Sequence, residues 1–344
     1  GRLRVPLYRS SLDQDFQPIS WDQALELLEG RIRSTLAGKG PQAIAMYGSG
    51  QFHTEDYYLA QKLLKGALGS NNFDANSRLC MSSAVAGYTR SLGSDGPPCC
   101  YEDLDHCSVV FLIGTNTAEC HPVLFQRLLK RKKRHPKDVT VVVVDPRATD
   151  TTKAADHHLA IKPGTDLALL HGIAHLVIAA AGVDADFIEE ATEGLAEFAP
   201  LIAAATPALT AEICGISEQQ LREVAALWAQ RDRVLSLWSM GVNQRREGTA
   251  VVCGLINLHL LTGQIGKPGA GPFSLTGQPN AMGGREAGGL AHLLPGYRFV
   301  ANAEHRQQVE AAWGFEPGAI APAPGLAAWQ QVEAMERGDL DLWW

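Results

Sequence analysis

The sequence predicts an α/β fold with mainly parallel sheets flanked by helices. Short apolar runs end repeatedly in loops rich in Gly, Asn, Thr and Asp, and amphipathic helices follow, as in the repeating unit of parallel sheets. One run, Val141-Val142-Val143-Val144, is pure valine, as expected of a strand buried on both faces. Apolar residues make up 46% of the 344, and charged residues 19%, a balance that supplies a large core.

Taken in order, Ser20 and Gln23 form a capping-box pair ahead of a helix over 21–36. A strand over 43–47 ends in Gly48-Ser49-Gly50, and a helix over 55–68 follows. The unit recurs as a strand at 108–113, the loop Gly114-Thr115-Asn116 and a helix at 122–134. The valine strand spans 140–144 and ends in Asp145-Pro146-Arg147. A short strand at 159–161 precedes Pro163-Gly164-Thr165-Asp166 and a helix at 167–181. Further helices read at 184–190, 217–230 and 249–261. A strand at 234–238 leads to Met240-Gly241-Val242-Asn243-Gln244. From 262 to 289 glycines crowd in without a clear period, which in a compact domain often marks function. Helices at 304–313 and 327–337 come next, and a strand begins at 340.

Composition excludes several classes. Net charge is -7, so a nucleic-acid binder is not expected. No apolar run reaches the ~20 residues of a membrane span. The seven cysteines are irregularly spaced, which argues against a secreted disulfide framework and points to the cytoplasm. No C-x-x-C pair occurs, so neither a zinc ribbon nor an iron–sulfur cluster is encoded. None of the Gly loops is G-x-G-x-x-G or a Walker A motif. One such loop is usually only a turn. Several on one sheet favour a large nucleotide-like ligand at the carboxyl ends of the strands.

Cys80 lies in Asn76-Ser77-Arg78-Leu79-Cys80-Met81-Ser82-Ser83, ahead of a helix through Tyr88. A cysteine at a helix start is thiolate-prone, and thiolates suit soft metals. Spacing alone favours a buried structural cysteine instead. The run Lys130–Arg134 reads as a solvated helix end that complements the helix dipole. His157-His158 and the pair His171 and His175 read as helix-face histidines, not a metal site.

These segments in order resemble the molybdopterin oxidoreductases that carry a bis(molybdopterin guanine dinucleotide) cofactor. Within that family the resemblance is to bacterial assimilatory nitrate reductases, then to periplasmic ones. It covers essentially the whole chain. The most specific stretches are 76–85, 113–119, 238–244 and, above all, 271–286. The resemblance implies two Rossmann-like units. One comprises residues 76–239 and binds one molybdopterin guanine dinucleotide. The other is discontinuous, from 1–75 with 240–344, and carries part of a second half-site and the substrate funnel.

It further implies that Cys80 is the protein ligand to molybdenum, beside Met81. Gln51, Asn76, Gly114, Thr115, Asn116, Glu119, Asp145, Thr165, Asp166, Met240 and Gln244 match cofactor-contacting positions, with Asp166 set to read the guanine edge. Gln278, Arg285 and Glu286 match positions lining the route to the metal, and Arg285 suits a planar anion. Met81 after Cys80 resembles nitrate reductases; related formate dehydrogenases usually place His there. The implied reaction is nitrate to nitrite by two-electron oxygen-atom transfer, with an NADH-linked reductase subunit, ferredoxin or flavodoxin as electron donor. Formate dehydrogenase or another enzyme of the family is the first rival, and a non-catalytic scaffold subunit is the rival of another class. Gly1 in place of Met and the strand that starts at 340 predict that both true termini lie beyond this sequence. The N-terminal [4Fe–4S] segment and the C-terminal cap of the family would lie there. This chain alone is therefore expected to be inactive, with Cys80 exposed or loosely packed.

Overall fold

The computed structural model describes residues 2–344. It divides into two compact units, one running to Leu79 and resuming as Gln278–Trp344, the other formed by Cys80–Gly277. The family analogy placed the boundaries at 75/76 and 239/240. The second boundary falls later because Gly271–Ser274 pairs with Val234–Trp238 as the next strand of the same sheet.

In the first unit, α1 (Trp21–Gly38) starts at the Ser20–Gln23 capping box. Strand β1 (Ile44–Gly48) follows, then α2 (Thr54–Gln61). The expected single helix to residue 68 is instead α-helix to Gln61 and π-helix over Lys62–Ala67. Strand β2 (Phe73–Ala75) is parallel to β1, and a single helical turn, α3 (Ser77–Cys80), ends on the cysteine.

The second unit opens with α4 (Ser82–Leu92). Its sheet contains β3 (Val109–Ile113), then β4 (Thr140–Val144) after α5 (Pro122–Arg134), and β5 (His157–Leu159). The chain continues through α6 (Asp166–Ala179) and α7 (Glu218–Gln230) to β6 (Val234–Trp238). It ends with α8 (Gly248–Leu261) and β7 (Gly271–Ser274). All pairs are parallel, in the order β5-β4-β3-β6-β7. Every residue of β3 and β6 is buried, as the apolar runs require of strands covered on both faces. Strand β5 lies two residues earlier than expected, which puts His157 and His158 on a strand and not on a helix. Three helices, Ala185–Ala191, Leu195–Ile202 and Pro207–Cys214, fill the stretch before α7.

Back in the first unit, the Gly-rich segment yields a short helix, α9 (Ala281–Glu286). Then come α10 (Ala303–Trp313) and α11 (Ala328–Glu336). The final strand β8 (Leu342–Trp343) pairs parallel with β1, giving the sheet order β8-β1-β2. The two larger sheets are thus parallel and helix-flanked, as predicted, and two short antiparallel pairs, Leu7–Tyr8 with Gln17–Pro18 and Leu293–Leu294 with Arg298–Phe299, stand apart from them.

Candidate active site

In the second unit the strands are parallel, so their carboxyl ends share one edge. That edge carries Gly114–Asn116 after β3, Asp145 after β4, Thr165 and Asp166 beyond β5, and Ser239–Gln244 after β6. The chain runs outward from β3 to β4 and β5, then returns to the other side of β3 as β6. The order therefore reverses between β3 and β6, and ligands of open α/β sheets bind at such a point.

Two glycines mark it. Gly241 N–H donates to Gly114 O at 3.0 Å. A Cβ on Gly241 would stand 2.6 Å from Gly114 O, and Gly114 itself has φ +57°. No side chain fits between the loops, so main-chain amides line the edge.

Around that point the polar side chains are fixed by their neighbours. Thr151 donates to Asn116 Oδ1 at 2.7 Å and accepts from Ala118 N–H at 3.0 Å. Thr115 and Thr117 hydroxyls are 3.1 Å apart. Asp145 is buried, and its carboxylate accepts from Arg147 N–H at 2.8 Å. Asp166, buried at the start of α6, forms an ion pair with Arg245. Glu119 and Gln244 are exposed.

Cys80 and Met81 enter this unit ahead of α4. Tyr88 on α4 donates to Pro272 O at 3.0 Å and accepts from Ser274 N–H at 2.9 Å, which fastens the helix to β7. Ser83 donates to Asn243 O at 2.7 Å. Cys80 is not exposed, contrary to expectation: it is 8% accessible, and its Sγ lies 3.3 Å from Met240 Sδ. The α4 contacts seat the cysteine beside the β6 loop, where Met240 covers it. Nor is Cys80 the first residue of the long helix; it closes α3, with Met81 between. Met81 is buried, and Thr276 Oγ1 lies 3.4 Å from its Sδ.

In the first unit, Gln51, Asn76 and Gln278 gather at the carboxyl ends of β1 and β2. Asn76 Oδ1 accepts from Gly50 N–H at 2.8 Å, and a Cβ on Gly50 would meet Gln278 Cβ at 2.7 Å. Arg285 is buried near the end of α9 with Met282 Sδ beside it, while Glu286 is exposed. Sequence reasoning missed Arg245, Thr151 and His121, which bonds Thr276 O through Nε2 at 2.9 Å. Each stands within or beside a loop already singled out, so adjacency was the available signal.

A model of the molybdopterin oxidoreductase family matches residues 2–344. This chain belongs to the molybdopterin oxidoreductase family. It is 56% identical over 343 residues to a nitrate reductase of Synechocystis sp., a match covering 100% of this chain and 48% of that protein. It is 44% identical to the periplasmic nitrate reductase of Desulfovibrio desulfuricans, covering 98% of this chain and 46% of the other. A nitrate reductase of Klebsiella oxytoca is 43% identical, covering 100% and 38%. The chain thus spans less than half the length of these relatives. Among solved structures, acetylene hydratase from Pelobacter acetylenicus shares the fold, with TM-score 0.68, 23% identity, and 78% of this chain and 36% of that one covered.

Family membership implies a molybdenum–pterin cofactor, and the donor set fits one. Among the described residues no group of three His, Cys, Asp or Glu side chains could hold a metal ion. Cys80, with Met240 at its side, supplies a soft sulfur donor, and soft sulfur suits molybdenum bound by pterin thiolates. The bare backbone edge at Gly114 and Gly241 suits a large, phosphate-bearing organic moiety.

Proposed function

We propose that this chain is the central part of a molybdenum-dependent nitrate reductase, which reduces nitrate to nitrite. The observation that carries the reading is Cys80: a buried thiol against Met240 Sδ, followed by Met81, at the edge where the sheet order reverses. Relatives named nitrate reductases, alike over the whole chain, support the substrate. When bound, the cofactor supplies the two-electron oxygen-atom transfer, which ordinary side chains cannot perform.

The chain's residues hold and orient. Cys80 would be the metal's protein ligand, with Met240 covering its sulfur and Met81 buried next to it in the chain. Gly114, Thr115, Asn116 and the Gly241 loop offer main-chain and hydroxyl groups to a bis(molybdopterin guanine dinucleotide). Glu119, Asp145, Thr165 and Gln244 complete that set, and Gln51 and Asn76 serve the other half-site. Asp166 accepts from the guanine edge; its present partner, the Arg245 guanidinium, is a planar N–H donor of similar character. Gln278, Arg285 and Glu286 line the substrate route, with Arg285 orienting the planar anion through its fork of N–H donors. An NADH-linked subunit, ferredoxin or flavodoxin would supply the electrons, and a [4Fe–4S] cluster of the full-length protein would relay them. The irregular spacing of the seven cysteines supports a cytoplasmic location.

Formate dehydrogenase is the rival reading, and Met81 in place of His weighs against it. A scaffold subunit would have no use for Cys80, Gln278 or Arg285. The test is the full-length protein assayed for molybdenum and for nitrate reduction by a reduced viologen. Molybdenum content with nitrate turnover, lost in Cys80→Ala, is expected; formate oxidation without nitrate turnover would overturn the assignment. Arg285→Ala should raise KM for nitrate or lower kcat, and unchanged kinetics would remove its role.

A further inference from the structure

Inside the first unit, Tyr57, Gln61 and Lys65 follow one another at four-residue spacing, and all three are fully buried. Two polar side chains and a lysine facing inward need partners, because a buried polar atom left unpaired is costly. Lys65 has them. Its Nζ donates to the carbonyls of Leu293 at 2.6 Å, Leu290 at 2.8 Å and Gly288 at 3.1 Å. The other two do not. Neither the amide oxygen nor the amide nitrogen of Gln61, nor the hydroxyl of Tyr57, has a hydrogen-bond partner among the described residues.

The helix itself is unusual at this place. Regular α-helix stops at Gln61 and a π-helix takes over at Lys62, a form that recurs at functional positions. At one end of the stripe, Tyr57 abuts Gly284: a Cβ there would lie 2.7 Å from the hydroxyl oxygen. Gly284 is next to Arg285, whose charge acts on the Tyr57 phenol. Burial dominates that group and pushes its pKa up to about 12, so it stays a hydroxyl that can both donate and accept. At the other end, the charged and titratable groups facing Lys65 are Asp74, Arg78 and His292. Asp74 is bound by Arg78, and His292 Nδ1 lies 3.2 Å from Arg78 and is only partly buried. Burial lowers the Lys65 pKa to about 7, against the pull of Asp74.

We propose that Tyr57, Gln61 and Lys65 line an internal, hydrated proton route that leads from the His292 side to Arg285. The inference rests on the nitrate reductase reading, which sets the demand. Nitrate takes two electrons from the reduced donor and two protons; one N–O bond breaks, nitrite leaves, and the departing oxygen becomes water. Protons must therefore reach a buried site in every turnover. Water bonded to Gln61 and Tyr57 satisfies their polar atoms, and it connects Lys65 to the Arg285 end when Nζ gives up its longest bond, to Gly288 O at 3.1 Å.

The test uses the full-length holoenzyme with a reduced viologen as donor. kcat and KM for nitrate are measured from pH 6 to 9, in H2O and D2O, for Gln61→Leu, Tyr57→Phe and Gln61→Glu. In Gln61→Leu, kcat is expected to fall roughly tenfold or more at alkaline pH with KM unchanged, within the usual range for a lost proton-transfer group. The solvent isotope effect should grow, and Gln61→Glu should restore most of the rate. If Gln61→Leu does not fold, Tyr57→Phe, which loses only a hydroxyl, gives the same reading. Parent-like kcat in both Gln61→Leu and Tyr57→Phe at every pH overturns the route. A high-resolution crystal structure of the parent tests hydration apart from activity: ordered water on Gln61 and Tyr57 supports the route, and a dry interior overturns it. A parent that reduces no nitrate would defeat the functional reading, and the water positions would still decide whether the stripe is hydrated.

Discussion

Replacing Gly241 with alanine puts the close approach of the two central loops to a direct test. The added Cβ would stand 2.6 Å from Gly114 O and 2.7 Å from Gly114 Cα, both main-chain atoms. Neither can swing aside, because Gly114 N–H is itself bonded to Val144 O at 3.1 Å in the adjoining strand. The loops must part. Overpacking of this kind costs about 1–3 kcal/mol. The Gly241 N–H to Gly114 O bond is stretched or lost, adding about 1 kcal/mol. Gly241→Ala is therefore expected to destabilise by about 2–4 kcal/mol. Gly114→Ala adds the cost of a left-handed residue, about 1 kcal/mol more. The control is Gly30→Ala in the exposed part of α1, where a Cβ meets nothing within 4 Å. There the same change should stabilise by about 0.5–1 kcal/mol through helix propensity. Urea unfolding followed by tryptophan fluorescence measures all three. A Gly241→Ala protein as stable as its parent would refute the reasoning.

Other perturbations have definite expected outcomes. Asp74 is fully buried and accepts from Arg78, Ala291 N–H and Ala328 N–H, so Asp74→Ala should cost about 3–5 kcal/mol, again read by urea unfolding. Thr151→Val keeps the volume but removes the hydroxyl shared by Asn116 and Ala118, which should cost about 1–3 kcal/mol and lower molybdenum retention in the full-length protein. His259 is fully buried: Nδ1 donates to Gln264 O at 2.9 Å, and Nε2 accepts from Ser236 Oγ at 2.6 Å. Burial holds its pKa down at about 3, so the fold takes it neutral. Its contribution is present above the ordinary value of 6.5 and is lost as pH falls toward 3. His292, held at about 4 chiefly by burial, acts in the same direction. Thermal melts from pH 7 to 4 should show this loss, and His259→Gln should flatten it; an unchanged slope would count against the assignment.

Much of the fold was legible because a few physical signals were unambiguous. The valine strand and the 122–134 helix were read to the residue, since burial on both faces and the proline at the helix start leave little choice. The Ser20 capping box likewise fixed the start of α1. Strand β7 escaped notice: Gly271-Pro272-Phe273-Ser274 has no alternation, and only pairing with β6 makes it a strand. That single pairing moves 240–277 into the second unit. The loops after β3, β4 and β6 were legible as a ligand edge. Their order at one reversal point required the topology. Cys80 was found by its motif, yet its burial against Met240 depends on a contact far along the chain. Nothing in the local pattern around Gln61 and Lys65 marks them as buried. What buries them includes the 284–293 segment, distant in sequence, whose contacts no local pattern encodes.

The most direct test of the central claim is X-ray absorption at the molybdenum edge of the full-length protein, with and without Cys80→Ser. The account predicts a sulfur-rich molybdenum site in the parent and one fewer sulfur neighbour in the variant. Indistinguishable spectra from two molybdenum-loaded proteins would contradict it.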